Sequence, residues 1–124
     1  MEISEKNQKI INDLKIGRLV KTFMTIILEK ELISENEIEN LMQKEYCKEN
    51  LNVIFPILKK LNNKISLKEN RIINKNQRYY ANPIVNNNTK YLLTNEWKEF
   101  HRENFVNWLK IKVKNIERKN ELRN

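Results

Sequence analysis

From Ile10 to Leu28 apolar side chains recur at spacings of three and four: Ile10, Ile11 and Leu14, then Leu19, Val20, Phe23, Met24, Ile27 and Leu28. That period lays one stripe along an amphipathic helix. Gly17 lies within the stripe and is expected to kink or divide it. Ser34-Glu35-Asn36-Glu37 then reads as a capping box. In such a box the Ser34 hydroxyl accepts from the Glu37 N–H, and the Glu37 carboxylate reaches back to the Ser34 amide. It predicts a short second helix with Ile38, Leu41 and Met42 inward. The period breaks over Lys44-Glu45-Tyr46-Cys47, which predicts a turn. Asn50 or Asn52 then caps a third helix bearing Val53, Ile54, Phe55, Leu58 and Leu61. Pro56 is tolerated only within the first turn or so of a helix. Either the third helix starts near Asn52, or an earlier one breaks there.

Asn62-Asn63-Lys64 ends that helix, and residues 64–77 are polar and irregular, with Ile65, Leu67, Ile72 and Ile73 as strand fragments. Two β-like runs follow, Arg78 to Val85 and Lys90 to Thr94, around Asn86-Asn87-Asn88-Thr89. Asn tolerates the left-handed turn conformation, so these predict a hairpin. Pro83 places the first strand at a sheet edge. Thr94 or Asn95 caps a long final helix with Trp97, Phe100, His101, Phe105, Trp108, Leu109 and Ile116 on its apolar face. Residues after about 115 are expected to fray into a basic tail. The fold class is mainly α with a small β-hairpin (α+β), winged helix-turn-helix-like. Residues 1–124 form one domain, as their number suggests.

Composition narrows the chemistry. Apolar residues make up 40% of the chain, enough for one core, and charged residues 32%. The single Gly argues against an all-β fold and removes glycine-rich phosphate loops. The apolar run Phe23 to Leu28 falls far short of the roughly 20 residues that cross a bilayer. With no secretory h-region at the N-terminus, the chain is expected in the cytoplasm. The single cysteine, Cys47, excludes an internal disulfide and a multi-cysteine zinc site. It is expected to be a small half-buried thiol. His101, the only histidine, lies between Trp97 and Phe105 at helical spacing, the position of a core-edge side chain rather than a ligand. No convergent catalytic set is visible, so no enzyme activity, metal, cofactor or small-molecule substrate is expected.

Charge divides the chain. Residues 1–41 hold 6 basic and 8 acidic side chains, whereas residues 42–124 hold 18 and 8. Between 54 and 95 lie Lys59, Lys60, Lys64, Lys68, Arg71, Lys75, Arg78 and Lys90, against Glu69 alone. A polyanion is drawn to such a stretch because each neutralised phosphate releases counterions. Three helices followed by a hairpin is the order of a winged helix. In that design the third helix enters the major groove and the wing touches the backbone or the minor groove. The expected nucleic-acid contacts are Lys48, Asn50 and Asn52 near the start of the third helix, Lys59 and Lys60 further along it, and Arg78, Asn87 and Lys90 on the wing.

The strings Ile-Ser-Glu-Asn-Glu-Ile at 33–38, Tyr46-Cys47-Lys48, Phe55-Pro56-Ile57-Leu58-Lys59, Arg78-Tyr79-Tyr80 and Lys90-Tyr91-Leu92-Leu93-Thr94-Asn95-Glu96-Trp97 carry a resemblance over residues 33–109. The chain resembles winged helix-turn-helix accessory domains attached to bacterial restriction-type and similar defence or mobile-element proteins. The resemblance implies contact with DNA and no particular target. The expectation is a non-catalytic protein that binds duplex DNA through the third helix and a basic wing. The alternative is a protein-interaction module, a homodimer or partner-binding inhibitor, using Trp97, Phe100, Phe105 and Trp108 on the final helix.

Overall fold

The computed structural model describes residues 1–114. Helix α1 (Glu5–Asp13) opens on Ser4, whose hydroxyl accepts from the Asn7 N–H at 3.1 Å. The chain turns extended at Leu14 and Lys15, and α2 (Ile16–Glu29) carries the apolar stripe inward. The predicted division therefore falls before Gly17, not at it. Tyr80 approaches Gly17 closely: a Cβ there would lie 3.0 Å from the Tyr80 hydroxyl oxygen.

Helix α3 (Glu35–Leu41) starts on Ser34, whose hydroxyl accepts from the Glu37 N–H at 3.0 Å, as the capping pattern predicts. The other half of the box does not form. The Glu37 carboxylate, 4% exposed, turns inward and accepts from the Tyr46 hydroxyl at 2.5 Å, the Trp108 indole N–H at 2.8 Å and the Asn40 amide at 3.1 Å. Burial and the adjacent Glu37 carboxylate hold the Tyr46 hydroxyl well above its ordinary pKa.

The segment read as a turn is a helix, α4 (Lys44–Leu51), and the segment read as the third helix is not one. Asn52 adopts a left-handed conformation (φ 60°, ψ 27°) and its N–H closes α4 on the Cys47 and Lys48 carbonyls. Buried Cys47 then holds the outgoing chain, since its Sγ accepts from the Ile57 N–H at 3.4 Å. Leu58 to Lys60 become strand β1 (Leu58–Lys60). Its pairing across the chain with Leu93 to Tyr91 decides the conformation against the local helical period.

After β1 the chain makes an excursion through the short helix α5 (Leu67–Asn70) and a small hairpin of β2 (Ile72–Ile73) and β3 (Asn76–Gln77). It returns through a bridge between Tyr79 and Thr94 into β4 (Ile84–Asn86) and β5 (Thr89–Leu93). Both tight turns place non-glycine residues at positive φ, Asn74 and Lys75 in one, Asn87 and Asn88 in the other. The expected hairpin is thus present, and β4 is an edge strand in the order β1–β5–β4, as Pro83 predicts.

One face of this antiparallel sheet meets the helices. Leu58, Leu93, Tyr91 and Ile84 share it and belong to the main core. Helix α2 packs against β4, and Asn86 donates to the Leu28 carbonyl at 2.8 Å. The final helix starts later than its predicted cap. Residues 95–98 are irregular, a 3-10 turn spans Glu99–His101, and α6 runs Arg102–Lys112. The arrangement is a mixed α+β fold with small antiparallel sheets. The basic tail expected after about residue 115 lies outside the described residues.

Replacing Glu37 with Ala leaves the buried Trp108 N–H and the Tyr46 hydroxyl without an acceptor. Urea denaturation should show a loss of about 2–4 kcal/mol, and Tyr46→Phe a loss nearer ~1 kcal/mol. Equal, small losses for both would remove Glu37 from its central role.

Candidate nucleic-acid interface

The register sorts the basic side chains by face. Lys59 pairs with Leu92 and Lys90 with Val85, so these four share the face turned away from the helices. Val85 and Lys90 are exposed there, whereas Leu92 is fully buried. Tyr79, through its bridge to Thr94, joins the same face and is buried, with its hydroxyl donating to the Pro56 carbonyl at 2.9 Å. Burial pushes that hydroxyl up to about 12. Tyr80 points the opposite way, where its hydroxyl donates to Gly17 O and its ring receives Lys21 at 5.1 Å.

Lys59 is half-buried on the outer face. Its Nζ donates to the Asn70 carbonyl at 2.8 Å and lies 5.8 Å from the Tyr79 ring centroid. Lys60, its neighbour on the strand, necessarily points to the other face. It shares a cleft of about 160 Å³ with Glu35, Glu39 and Asn87, so acidic side chains of α3 face it. The expectation that Lys59 and Lys60 act together from one helical face is corrected by this alternation.

Lys48, Asn50 and Asn52 sit at the end of α4 rather than at the start of a third helix. All three are exposed, but Lys48 donates to the Asn52 side chain at 3.3 Å and Asn50 to the Tyr46 carbonyl at 3.0 Å. Lys44 and Lys48 share this helix with Glu45 and Glu49, so α4 has no net charge to offer a phosphate backbone. Arg78 is ion-paired with Glu96 at 2.8 Å, its guanidinium 5.0 Å from the Phe55 ring centroid. Asn87 lies in the β4–β5 turn, exposed, and lines the cleft that holds Lys60. The structure thus brings Lys59 and Lys90 onto one face of the sheet, the Lys59 ammonium already bonded to the Asn70 carbonyl, and leaves Lys48, Asn50, Asn52, Lys60 and Arg78 elsewhere or partnered.

Comparison with known protein families, with curated proteins and with solved structures returns no match. The surface stands on its own chemistry. Sequence reasoning left Lys64 and Lys68 out of the candidate contacts. Both are exposed and flank the Ser66-capped turn of α5, which Lys59 ties to the outer side of β1 through Asn70. The signal was present in the pattern Ser66-Leu67-Lys68-Glu69: the Ser66 hydroxyl accepts from the Glu69 N–H at 3.1 Å. Neither lysine makes an ion pair among the described residues.

The aromatic cluster expected on a partner-facing helix is largely interior. Trp97, Phe105 and Trp108 are buried, Trp97 edge-on to Phe105 and Phe105 stacked on Trp108. Phe105 and Trp108 serve the core because α6 packs against α4, and Trp97 joins them from the irregular stretch before the 3-10 turn. Phe100 alone of the four is exposed, at 62%.

A depression of about 760 Å³ lies between Leu14–Arg18 and Trp97–Glu99. The Glu99 carboxylate accepts there from the Ile16 N–H at the start of α2 and from Arg102, and these bonds lower its pKa. Arg102 also donates to the Ile11 carbonyl and, at 2.6 Å, to the Leu14 carbonyl, holding the end of α1. Cys47 is fully buried rather than half-buried, and burial pushes its thiol up to about 11, so it stays protonated at neutral pH. Among the described residues, no three His, Cys, Asp or Glu side chains group so as to hold a metal ion, and no helix is long and apolar enough to cross a membrane.

His101 is buried with both ring nitrogens engaged: Nδ1 accepts from the Lys98 N–H at 2.9 Å, and Nε2 lies 3.0 Å from the Asn52 carbonyl. A carbonyl only accepts, so the neutral ring carries its proton on Nε2. A second proton would meet the Lys98 N–H. Burial lowers the His101 pKa below its ordinary value of about 6.5. The unfolded chain therefore takes up a proton at higher pH than the folded one. Stability is full above about pH 6.5 and falls as pH drops towards the folded pKa. Because His101 is the only histidine, this slope between about pH 7.5 and 5.5 should shrink in His101→Gln, measured by denaturation midpoints. An unchanged slope would show that another group controls it.

Proposed function

We propose that this protein is a non-catalytic, cytoplasmic duplex-DNA-binding module that meets the phosphate backbone through the outer side of its three-stranded sheet. The observation that carries the reading is the gathering of Lys59 and Lys90 on one face, with Lys64 and Lys68 in the turn that Lys59 anchors there. Glu69 is the only acidic side chain of the stretch from 54 to 95. Phosphate contacts fix orientation on the duplex and supply most of the affinity at low salt.

Within this reading the arrangement is a winged-helix variant. Helices α2, α3 and α4 precede the sheet, and the β4–β5 hairpin is the wing, with Asn87 at its tip and Lys90 on its outer face. Charge moves from the third helix to the wing and to the α5 turn.

Affinity for duplex DNA should fall with salt along a log–log slope of about −4 to −6, for roughly five neutralised phosphates. Lys64→Glu with Lys90→Glu should weaken binding by about 10-fold or more at low salt, whereas Lys60→Glu should have little effect. Absence of binding at low salt, or a Lys60→Glu loss as large as that of the pair, would sink the proposal.

A second reading, a protein-partner module, rests on Phe100. Phe100, beside the His101 that contacts the Asn52 carbonyl, is 62% exposed. If this side chain joins two copies, light scattering should show a dimer that Phe100→Ser dissociates. A monomer at all concentrations would exclude self-association through it.

A further inference from the structure

Six large apolar side chains are exposed among the described residues, and two of them, Ile65 at 40% and Leu67 at 43%, lie between Lys64 and Lys68. The turn that holds them is built for rigidity. Asn70, 1% exposed, accepts on Oδ1 from the Asn62 N–H at 2.8 Å and donates from Nδ2 to the Asn62 and Ser66 carbonyls, each at 2.9 Å. Lys59 reaches the Asn70 carbonyl from β1. One buried amide thus closes both ends of residues 62–70, and Ser66 caps the turn between them. Such cross-bonding holds the backbone that presents Ile65 and Leu67, each partly exposed, between Lys64 and Lys68, and lowers the ordering cost of binding.

We infer that Ile65 and Leu67 form an apolar wedge that enters the minor groove of duplex DNA and opens a base step while Lys64 and Lys68 hold the phosphates beside it. The inference rests on the duplex-DNA reading and assigns the element that deforms the duplex. A turn of two side chains suits the narrow minor groove, whereas the wide major groove accommodates a whole helix. Isoleucine and leucine are among the side chains that part stacked bases, and flanking lysines match the charge on both sides of the groove. An anionic bilayer offers similar chemistry, but two apolar side chains anchor weakly where a membrane-bound helix offers a whole face.

The test uses the full chain and a duplex labelled at its two ends for energy transfer. Wild-type protein should shorten the end-to-end distance. Ile65→Ser with Leu67→Ser, whose side chains are exposed and whose folding circular dichroism checks, should abolish the bend and weaken binding by roughly 10-fold. Its salt slope should match the wild type, since no phosphate contact is lost. Lys64→Gln with Lys68→Gln should instead reduce that slope by about two. If the serine variant bends DNA and binds as tightly as wild type, the wedge is wrong and the DNA reading stands. If the wild type ignores the duplex at low salt, the DNA reading itself fails. Capture of the wild type, but not the serine variant, by phosphatidylserine–phosphatidylcholine vesicles in preference to DNA would overturn the wedge in favour of a lipid surface.

Discussion

The buried Glu37 carboxylate is the constraint around which the helical half is organised. Its acceptor oxygens gather donors from α3, α4 and α6 at one point, through Asn40, Tyr46 and Trp108. A carboxylate removed from water is costly unless its lone pairs are satisfied. Its presence therefore selects the packing in which all three donors converge. That packing seats Phe105 and Trp108 in the core and brings α6 against α4. From there His101 reaches the Asn52 carbonyl, linking the end of α4 to the 3-10 turn that opens α6. The chain leaves α4 towards β1 from that fixed point.

What could be read from the residues depended on whether neighbours in sequence or in space decided the conformation. The stripe of α2, the Ser34 cap and the Asn87-Asn88 turn are local, and each appears where its pattern indicates. Residues 52–61 were misread because Val53, Ile54, Phe55, Leu58 and Leu61 do repeat at helical spacing. A left-handed Asn52 and the pairing of β1 with β5, some 30 residues later, override that period. The inward swing of Glu37 was also hidden, since a capping box and a buried acceptor share one sequence pattern. Its deciding partner, Trp108, is 71 residues away.

The candidate surface follows the same division. The excess of lysine between 54 and 95 was visible in composition, but its sidedness was not. Assigning Lys59 and Lys60 to a helix placed them on neighbouring positions of one surface, whereas a strand sends them to opposite faces. The strand also promotes Lys64 and Lys68, because Lys59 ties the turn that carries them to the outer side. The expected basic helix is thereby replaced by a sheet face bearing Lys59 and Lys90 and an adjoining turn with Ile65 and Leu67 exposed.

The two outer strands of the sheet, β1 and β4, each span only three residues. Pro83, just before β4, has no N–H to offer, and a bend at Ala81-Asn82 interrupts the ladder between Tyr79 and Ile84. On the other flank, Lys59 and Lys60 put ammonium groups above and below the unpaired backbone. Short, interrupted and charged margins make poor templates for a foreign strand. Such margins protect this sheet against recruiting further chains into a filament.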